Sequence, residues 1–291
     1  MWKVYEYLAL VFASALWSLN PAIISRFRDS LNPITFIALR ASIAFPLIAI
    51  ISYMCGGAVI KWDQQVALIL ATSAVLGPGV GDICYTKSIQ LIGGSLAVII
   101  SYTYIFVSQL LASALLNESL STSSLIASLM AFTGIVIALG ISYSGRGSLV
   151  KGVLLSLAAS ITWSVALTFL KIALNYVDIP TAMLVRLALV IALFLPLGLV
   201  SEGLPKLNAL KYLAFAAAFT SISDLVVGMY LFMYSLRRLG LSASVIPTAL
   251  TPVLTLVTTK AIAREALTPN YVVGAVLVSI AILITALNTT T

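Results

Sequence analysis

The sequence predicts an all-α polytopic membrane protein: ten transmembrane helices as two inverted five-helix repeats. Three observations predict it. Of 291 residues, 61% are hydrophobic and 9% charged, with a mean hydropathy of +1.13. A soluble domain carries about 25% charged residues, so this chain lacks the polar surface that an ordinary soluble enzyme or a disordered chain requires. Apolar runs of helical length alternate with short polar or Gly/Pro-marked breaks, which is the pattern of membrane helices joined by short loops. Finally, the second half of the chain repeats rare residues of the first at a nearly constant offset.

The predicted spans are 5–25, 33–54, 65–88, 95–116 and 123–143 in the first half, and 151–172, 180–201, 211–235, 242–262 and 269–288 in the second. Ten spans leave about 29 residues per helix and loop, so any domain outside the membrane is tiny. The first span follows Lys3 and has an apolar stretch that a secretory signal would share, but Glu6 and the length of the run favour a retained helix. Trp17, Ser18, Asn20 and Pro21 lie past its middle. Trp17 is too deep for an interfacial belt residue, so it is a candidate for a cavity wall, with Asn20 beside it. The second span starts on Pro33, a residue suited to a first helical turn. Arg40 lies only six or seven residues in; like its repeat counterpart Arg186 in the seventh span, it reads as a side chain snorkelling to the headgroups in preference to one that binds a substrate anion.

The third span contains Gly77-Pro78-Gly79-Val80-Gly81-Asp82. Proline and three glycines predict a kink that frees backbone carbonyls beside a carboxylate. Irregular backbone at membrane depth is tolerated inside protein or against a watery cavity, although small residues also serve close helix packing. Tyr85 adds a hydroxyl. Gly93-Gly94 separates the third span from the fourth, which carries Ser101, Tyr102, Tyr104, Ser108 and Gln109 through its middle and closes at Asn117-Glu118-Ser119. After the fifth span, Ser142 to Ser148 is the longest non-apolar stretch of the middle of the chain and divides a first repeat, 1–143, from a second, 144–291.

In the second repeat, Thr162, Trp163 and Ser164 occupy the deep part of the sixth span, and Pro180 opens the seventh, which carries Arg186. Asp224 falls at the middle of the eighth span, with Tyr230 and Tyr234 after it. Gly240 separates the eighth span from the ninth, where Thr248, Thr251 and Thr255 run alongside Pro247 and Pro252 up to Arg264-Glu265-Ala266. That polar stripe with two prolines predicts a cavity wall and gate; interhelical hydrogen bonding would produce the same stripe. Glu118 and Glu265 read as structural residues at the membrane faces.

An offset of 146 maps Trp17-Ser18 onto Trp163-Ser164 and Arg40 onto Arg186; an offset of 147 maps Gly81 onto Gly228, Gly93 onto Gly240 and Glu118 onto Glu265. With four Trp and nine acidic residues in the whole chain, these matches carry more weight than apolar ones. Five helices per repeat is an odd number, so the two copies enter the membrane in opposite directions. Such folds place a binding site near the midplane between the copies and expose it alternately to the two sides.

The chain has no His, which removes imidazole metal sites, histidine proton relays and Ser-His or Cys-His nucleophiles. Cys55 and Cys84 show no metal or redox spacing, and no cofactor is expected. The net charge of +7 suits anionic lipid headgroups rather than nucleic acid, since no basic run exceeds Arg237-Arg238. Asp82 and Asp224 are the intramembrane carboxylates. An ionisable group there is expensive unless it faces a cavity or a partner, so each is a candidate for proton or cation binding or for bridging two helices. They are not repeat equivalents: Asp82 maps onto Met229, and Asp224 onto Gly77. Gly79-Val80-Gly81-Asp82 also matches the short element of intramembrane aspartyl proteases. That chemistry pairs two carboxylates, and the Tyr-Asp partner motif of those enzymes is absent here. Lys/Arg number five in the loops on the side of the termini and nine on the other, which places the termini outside.

In the order and duplication of these elements the chain resembles the drug/metabolite transporter superfamily, and within it the EamA group. The resemblance rests on Trp17-Ser18-Leu19-Asn20-Pro21, on Pro33 with Arg40, and on Ser95 to Leu120 ending in Asn117-Glu118-Ser119-Leu120. In the second copy it rests on Trp163, on Pro180 with Arg186, and on Ser242 to Leu267 with Pro252 and Glu265. It implies a carrier with a central cavity lined mainly by the first, third, fourth, sixth, eighth and ninth helices. It also implies export or exchange of small metabolites, amino acids or drugs, and termini in the cytoplasm, against the charge count. The chain departs from the pattern at Ser18, where the family often has Gly, and at Ile105, where its own second copy has Pro252. Taken together, the residues expected at the substrate cavity are Trp17, Asn20, Asp82, Tyr85, Ser101, Tyr104, Trp163, Asp224, Tyr230, Thr248 and Thr251, with a small solute and the bilayer as partners and protons as a coupling ion.

Overall fold

A computed structural model of the chain describes residues 3–54, 63–118, 146–203 and 207–288, together with 126, 130, 133, 134 and 136–138. Among these residues eight helices are long and apolar enough to cross a membrane: Val4–Arg26, Pro33–Met54, Gln64–Ile92, Gly94–Leu116, Gly147–Ala173, Ile179–Ser201, Asn208–Leu239 and Leu241–Ala263. The helix Pro269–Asn288 follows them. They match the predicted spans one to four and six to ten, and are called by those ordinals below. Most of the fifth span, 123–143, and the boundary between repeats at 143/144 lie outside the described residues. Where the fifth span is described it packs on the tenth: a Cβ on Gly134 would sit 2.8 Å from the backbone oxygen of Gly274.

The ends of these helices follow from local chemistry. Pro33 is the first residue of the second helix. Asp63 and Asp178 cap the third and seventh, accepting from Val66 N and Thr181 N, each at 2.8 Å. Gly93 and Gly240 turn the chain between third and fourth and between eighth and ninth helices with φ of 82° and 90°, a region that an L side chain enters only at a cost. Asn117 and Arg264 end the fourth and ninth helices in the left-handed region, with φ of 56° and 57°. Both pairs are 147 residues apart, so the repeat persists in the backbone where the side chains have diverged.

Outward faces are apolar. Leu8, Val11 and Phe12 on the first helix and Leu193, Leu197 and Val200 on the seventh are exposed. In water so much apolar surface drives aggregation; in a bilayer it meets acyl chains, and the helices satisfy their own backbone hydrogen bonds. The chain is an integral multi-pass membrane protein.

Three glutamates record that the two copies run in opposite directions. Glu265, just past the end of the ninth helix, accepts from Gly94 N at 2.6 Å, Ser95 N at 3.0 Å and Ser95 Oγ at 2.6 Å, at the start of the fourth. Ser25 Oγ, near the end of the first helix, donates to it at 2.5 Å. Glu118, just past the end of the fourth helix, accepts from Leu241 N and Ser242 N at the start of the ninth, at 2.9 and 2.8 Å. Each fourth helix of a repeat is thus capped at its N-terminus by the glutamate that follows its counterpart, which requires the two to be antiparallel. Glu202 does the same between the seventh and second helices, accepting from Ile34 N at 3.0 Å and Thr35 N at 2.9 Å. An N-terminal cap contributes about 0.5–2 kcal/mol, and a carboxylate there also complements the helix dipole. The structural role expected of Glu118 and Glu265 takes this form, joining the repeats to each other.

The Gly-Pro-Gly kink expected in the third helix is a seven-residue π-helical stretch, Val75–Gly81. Its repeat counterpart in the eighth helix, Ser221–Gly228, is π-helical too, although it has no proline, so proline is not what the shape requires. Wide turns of this kind recur at functional sites. Here they bring glycine next to tryptophan across the repeats. A Cβ on Gly81 would lie 2.5 Å from Trp163 Cδ1, and one on Gly228 2.6 Å from Trp17 Nε1.

Candidate functional site

A cavity of about 100 Å3 lies between the two copies. At roughly 10–15 Å3 for each water-sized occupant, it takes a solute on the order of ten non-hydrogen atoms. The first helix contributes Trp17 and Asn20; the third contributes Gly77, Pro78, Asp82 and Tyr85; the fourth contributes Tyr102 and Tyr104. From the second copy come Trp163, Ala166 and Leu167 of the sixth helix, Arg186 of the seventh, and Asp224, Leu225 and Met229 of the eighth.

One wall is aromatic. The Trp163 ring meets Tyr85 edge to face at 4.9 Å and Tyr104 at 6.1 Å, and Tyr104 meets Tyr102 at 5.3 Å. Such pairs contribute about 0.5–1.5 kcal/mol each beyond the area they bury. Tyr104 also shares a 2.7 Å hydrogen bond with Thr248 Oγ1, which holds its ring between the ninth helix and the cavity.

The other wall is ionic. Arg40, 1% exposed, places Nη1 3.2 Å from Asp82 Oδ2 and bonds Asp224 Oδ2 through Nη2. Asn20 Nδ2 donates to the same Asp224 oxygen at 2.7 Å, and Trp163 Nε1 donates to Asp82 Oδ1 at 2.9 Å. The Phe36 ring lies 5.5 Å from the guanidinium, and Ser221 Oγ donates to the Arg40 carbonyl at 2.9 Å. Arg40 therefore clamps the third helix to the eighth, joining one copy to the other. A buried pair that loses one member costs about 3–5 kcal/mol, because the other charge stays buried and uncompensated. Three cavity-lining side chains bury a polar atom without a hydrogen-bond partner: Trp17 Nε1, Asn20 Oδ1 and Arg186 Nε.

Of the residues expected from sequence, Trp17, Asn20, Asp82, Tyr85, Tyr104, Trp163 and Asp224 line this cavity. The remaining four lie elsewhere. Ser101 is fully buried and bonds the Val98 carbonyl of its own turn. Thr248 serves Tyr104 and the Val245 carbonyl. Thr251 reaches the Ser14 carbonyl at 3.4 Å, linking the ninth helix to the first. Tyr230 is half-buried and is not among the residues that line the cavity. Thr248 and Thr251 are thus interhelical glue, while the Thr255 hydroxyl is buried without a partner; the ninth helix stands behind Tyr104, and the seventh helix lines the cavity through Arg186. The two arginines correct the snorkelling expectation. Arg40 and Arg186 are 1% and 4% exposed and point into the protein, because carboxylates and a cavity lie within reach there.

The EamA-like transporter family matches this chain twice, at residues 4–140 and 150–287. An uncharacterized transporter of Archaeoglobus fulgidus is 30% identical over 131 residues, which cover 45% of this chain and 46% of that protein; the chain thus aligns with about half the length of that curated relative. A solved crystal structure superposes with a TM-score of 0.74 at 18% identity, over 98% of this chain and 97% of the other, and so shares the fold.

Proposed function

This chain belongs to the EamA-like transporter family, and from that premise we propose that it is a membrane transporter, a secondary carrier of small metabolites, amino acids or drug-like solutes. It works by alternating access, in the direction of export, across the cell membrane. The observation that carries this reading is the cavity between two antiparallel copies, lined from both. Rocking one copy against the other exposes such a site to each side in turn. The reciprocal caps at Glu118 and Glu265 join the copies at opposite faces, so one face can stay closed while the other opens. Asp82 and Asp224 are the groups for a coupling proton. The aspartyl protease alternative requires two carboxylates sharing one proton, whereas here a guanidinium bonds both, which supports a carrier over an enzyme.

The test is efflux from liposomes holding the purified protein and loaded with an isotope-labelled amino-acid mixture, followed by mass spectrometry with and without a pH gradient. The proposal expects one or a few solutes to leave faster than from protein-free liposomes, with a rate that saturates. Efflux equal to that of empty liposomes for every solute, or a rate linear in concentration, overturns it.

A further inference from the structure

Arg40 and Arg186 occupy equivalent positions in the two repeats, yet their surroundings differ. Arg40 is neutralised by Asp224 of the eighth helix. The repeat equivalent of Asp224 in the third helix is Gly77. Arg186 addresses that glycine as Arg40 addresses the aspartate: a Cβ added to Gly77 would lie 2.9 Å from Arg186 Nη2. The anion that symmetry would place there is missing. Arg186 is nonetheless 4% exposed, lines the cavity, and leaves Nε without a hydrogen-bond partner. Among the described residues it makes no ion pair; the field of Asp82 reaches it only through space.

Burying an unpaired cation costs several kcal/mol, so a cation retained beside a cavity points to an anion that arrives from outside. We propose that Arg186 is the anion-binding residue of the cavity and takes a carboxylate group of the transported solute, which fills the place of the side chain that Gly77 lacks. A carboxylate fits better than a phosphate. Arg40 and Arg186 against Asp82 and Asp224 already sum to zero when all four are charged, and a phosphate dianion would add two negative charges to a site with one free guanidinium. The planar fork of that guanidinium matches the two oxygens of a carboxylate. The Asp82 and Asp224 carboxylates, which also line the cavity, then favour a solute whose remainder is cationic or neutral. This inference rests on the carrier reading above, but its test does not need transport.

The probes are leucine, methionine and hexanoate, each compared with its primary amide, which keeps size and shape and removes the charge. Binding is read from tryptophan fluorescence of the purified protein, since Trp17 and Trp163 line the cavity, and from shifts in the thermal unfolding midpoint. At least one carboxylate is expected to bind wild type tenfold or more tightly than its amide, in line with a charge-assisted hydrogen bond. Arg186→Gln should lose that preference and Arg186→Lys should keep part of it. Gly77→Asp should abolish it independently, by restoring the counter-ion that Arg40 already has. Carboxylate and amide binding within twofold of each other, no carboxylate of the panel binding at all, or a preference that survives both Arg186→Gln and Gly77→Asp overturns the proposal. Saturable flux of solutes without carboxylates, unchanged in Arg186→Gln, would overturn it while leaving the carrier reading intact. Carboxylate binding through Arg186 without any saturable flux would do the reverse.

Discussion

Replacing the two repeat-equivalent arginines by methionine should affect stability very unequally. Arg40→Met leaves Asp82 and Asp224, whose side chains are 16% and 12% exposed, without the guanidinium that bonds both. Loss of one member of a buried ion pair costs about 3–5 kcal/mol. Methionine keeps most of the apolar stem and its packing near Phe36, so the loss is mainly electrostatic. At about 2–4 °C per kcal/mol for a chain of this size, the unfolding midpoint should fall by roughly 6–20 °C. Adding Asp82→Asn and Asp224→Asn to Arg40→Met removes the stranded charges and should recover most of the loss. Arg186→Met instead removes a buried cation with no ion pair among the described residues, and should leave the protein within about 1 kcal/mol of wild type or above it. A stabilising substitution that weakens function is the usual signature of a strained binding residue. The assay is thermal unfolding of the variants in one detergent, followed by circular dichroism. Equal losses for Arg40→Met and Arg186→Met would refute the reasoning, because they would mean that Arg186 is held by a partner as important to the fold as the pair of aspartates.

Other expectations follow from single contacts. Glu265→Gln should lower the unfolding midpoint more than Glu118→Gln, since Glu265 accepts from two backbone N–H groups and two serine hydroxyls while Glu118 accepts from two backbone N–H groups; the reverse order would show that the hydroxyl bonds contribute nothing. Trp163→Phe removes the donor to the Asp82 carboxylate and should cost about 1.5–3 kcal/mol, the range for a hydrogen bond to a charged group, whereas Trp17→Phe removes an N–H that makes no hydrogen bond of normal geometry and interacts only weakly with Asp224, and should cost less. Both should weaken solute binding, and unchanged affinity in both would remove the two rings from the site. Asp224→Asn should abolish efflux driven by a pH gradient in the liposome assay, and wild-type pH dependence in that variant would move the coupling proton to Asp82. In a background free of Cys55 and Cys84, Ser148→Cys should react with an impermeant thiol reagent from the cytoplasmic side if the loop charges set orientation; labelling from outside alone would favour termini in the cytoplasm.

The helices were legible because apolar runs, prolines and paired glycines carry their own physics along the chain. The inverted repeat was legible because Trp, Arg and Glu are rare enough here for their spacing to mean something. Trp17, Trp163, Asp82 and Asp224 could be placed near a cavity from depth alone, as polar or amphipathic groups that are expensive at the bilayer centre. Depth does not report neighbours, however. Arg40 and Arg186 stand close enough to a membrane face to snorkel, and only the fold shows two carboxylates within reach of one and a glycine facing the other. The signal was present in the offset itself, since both arginines recur while Asp224 maps onto Gly77. The ninth-helix threonines misled for the opposite reason: a polar stripe looks the same whether it faces a cavity or bonds Tyr104 and Ser14. Nor does anything in Ser221–Gly228 announce a π-helical stretch, which answers to packing against Trp17 rather than to a local breaker.

Alternating access is most directly tested by the reach of one cavity position from each side of the membrane. Leu225 lies at the middle of the eighth helix and lines the cavity. In sealed, uniformly oriented liposomes made without other cysteines, Leu225→Cys should react with an impermeant thiol reagent added to either side, while the same liposomes hold a salt gradient and show no conductance. Reaction from one side only over the whole time course, or reaction from both sides accompanied by leakage of the gradient, would contradict a carrier in which two inverted copies expose a single site in turn.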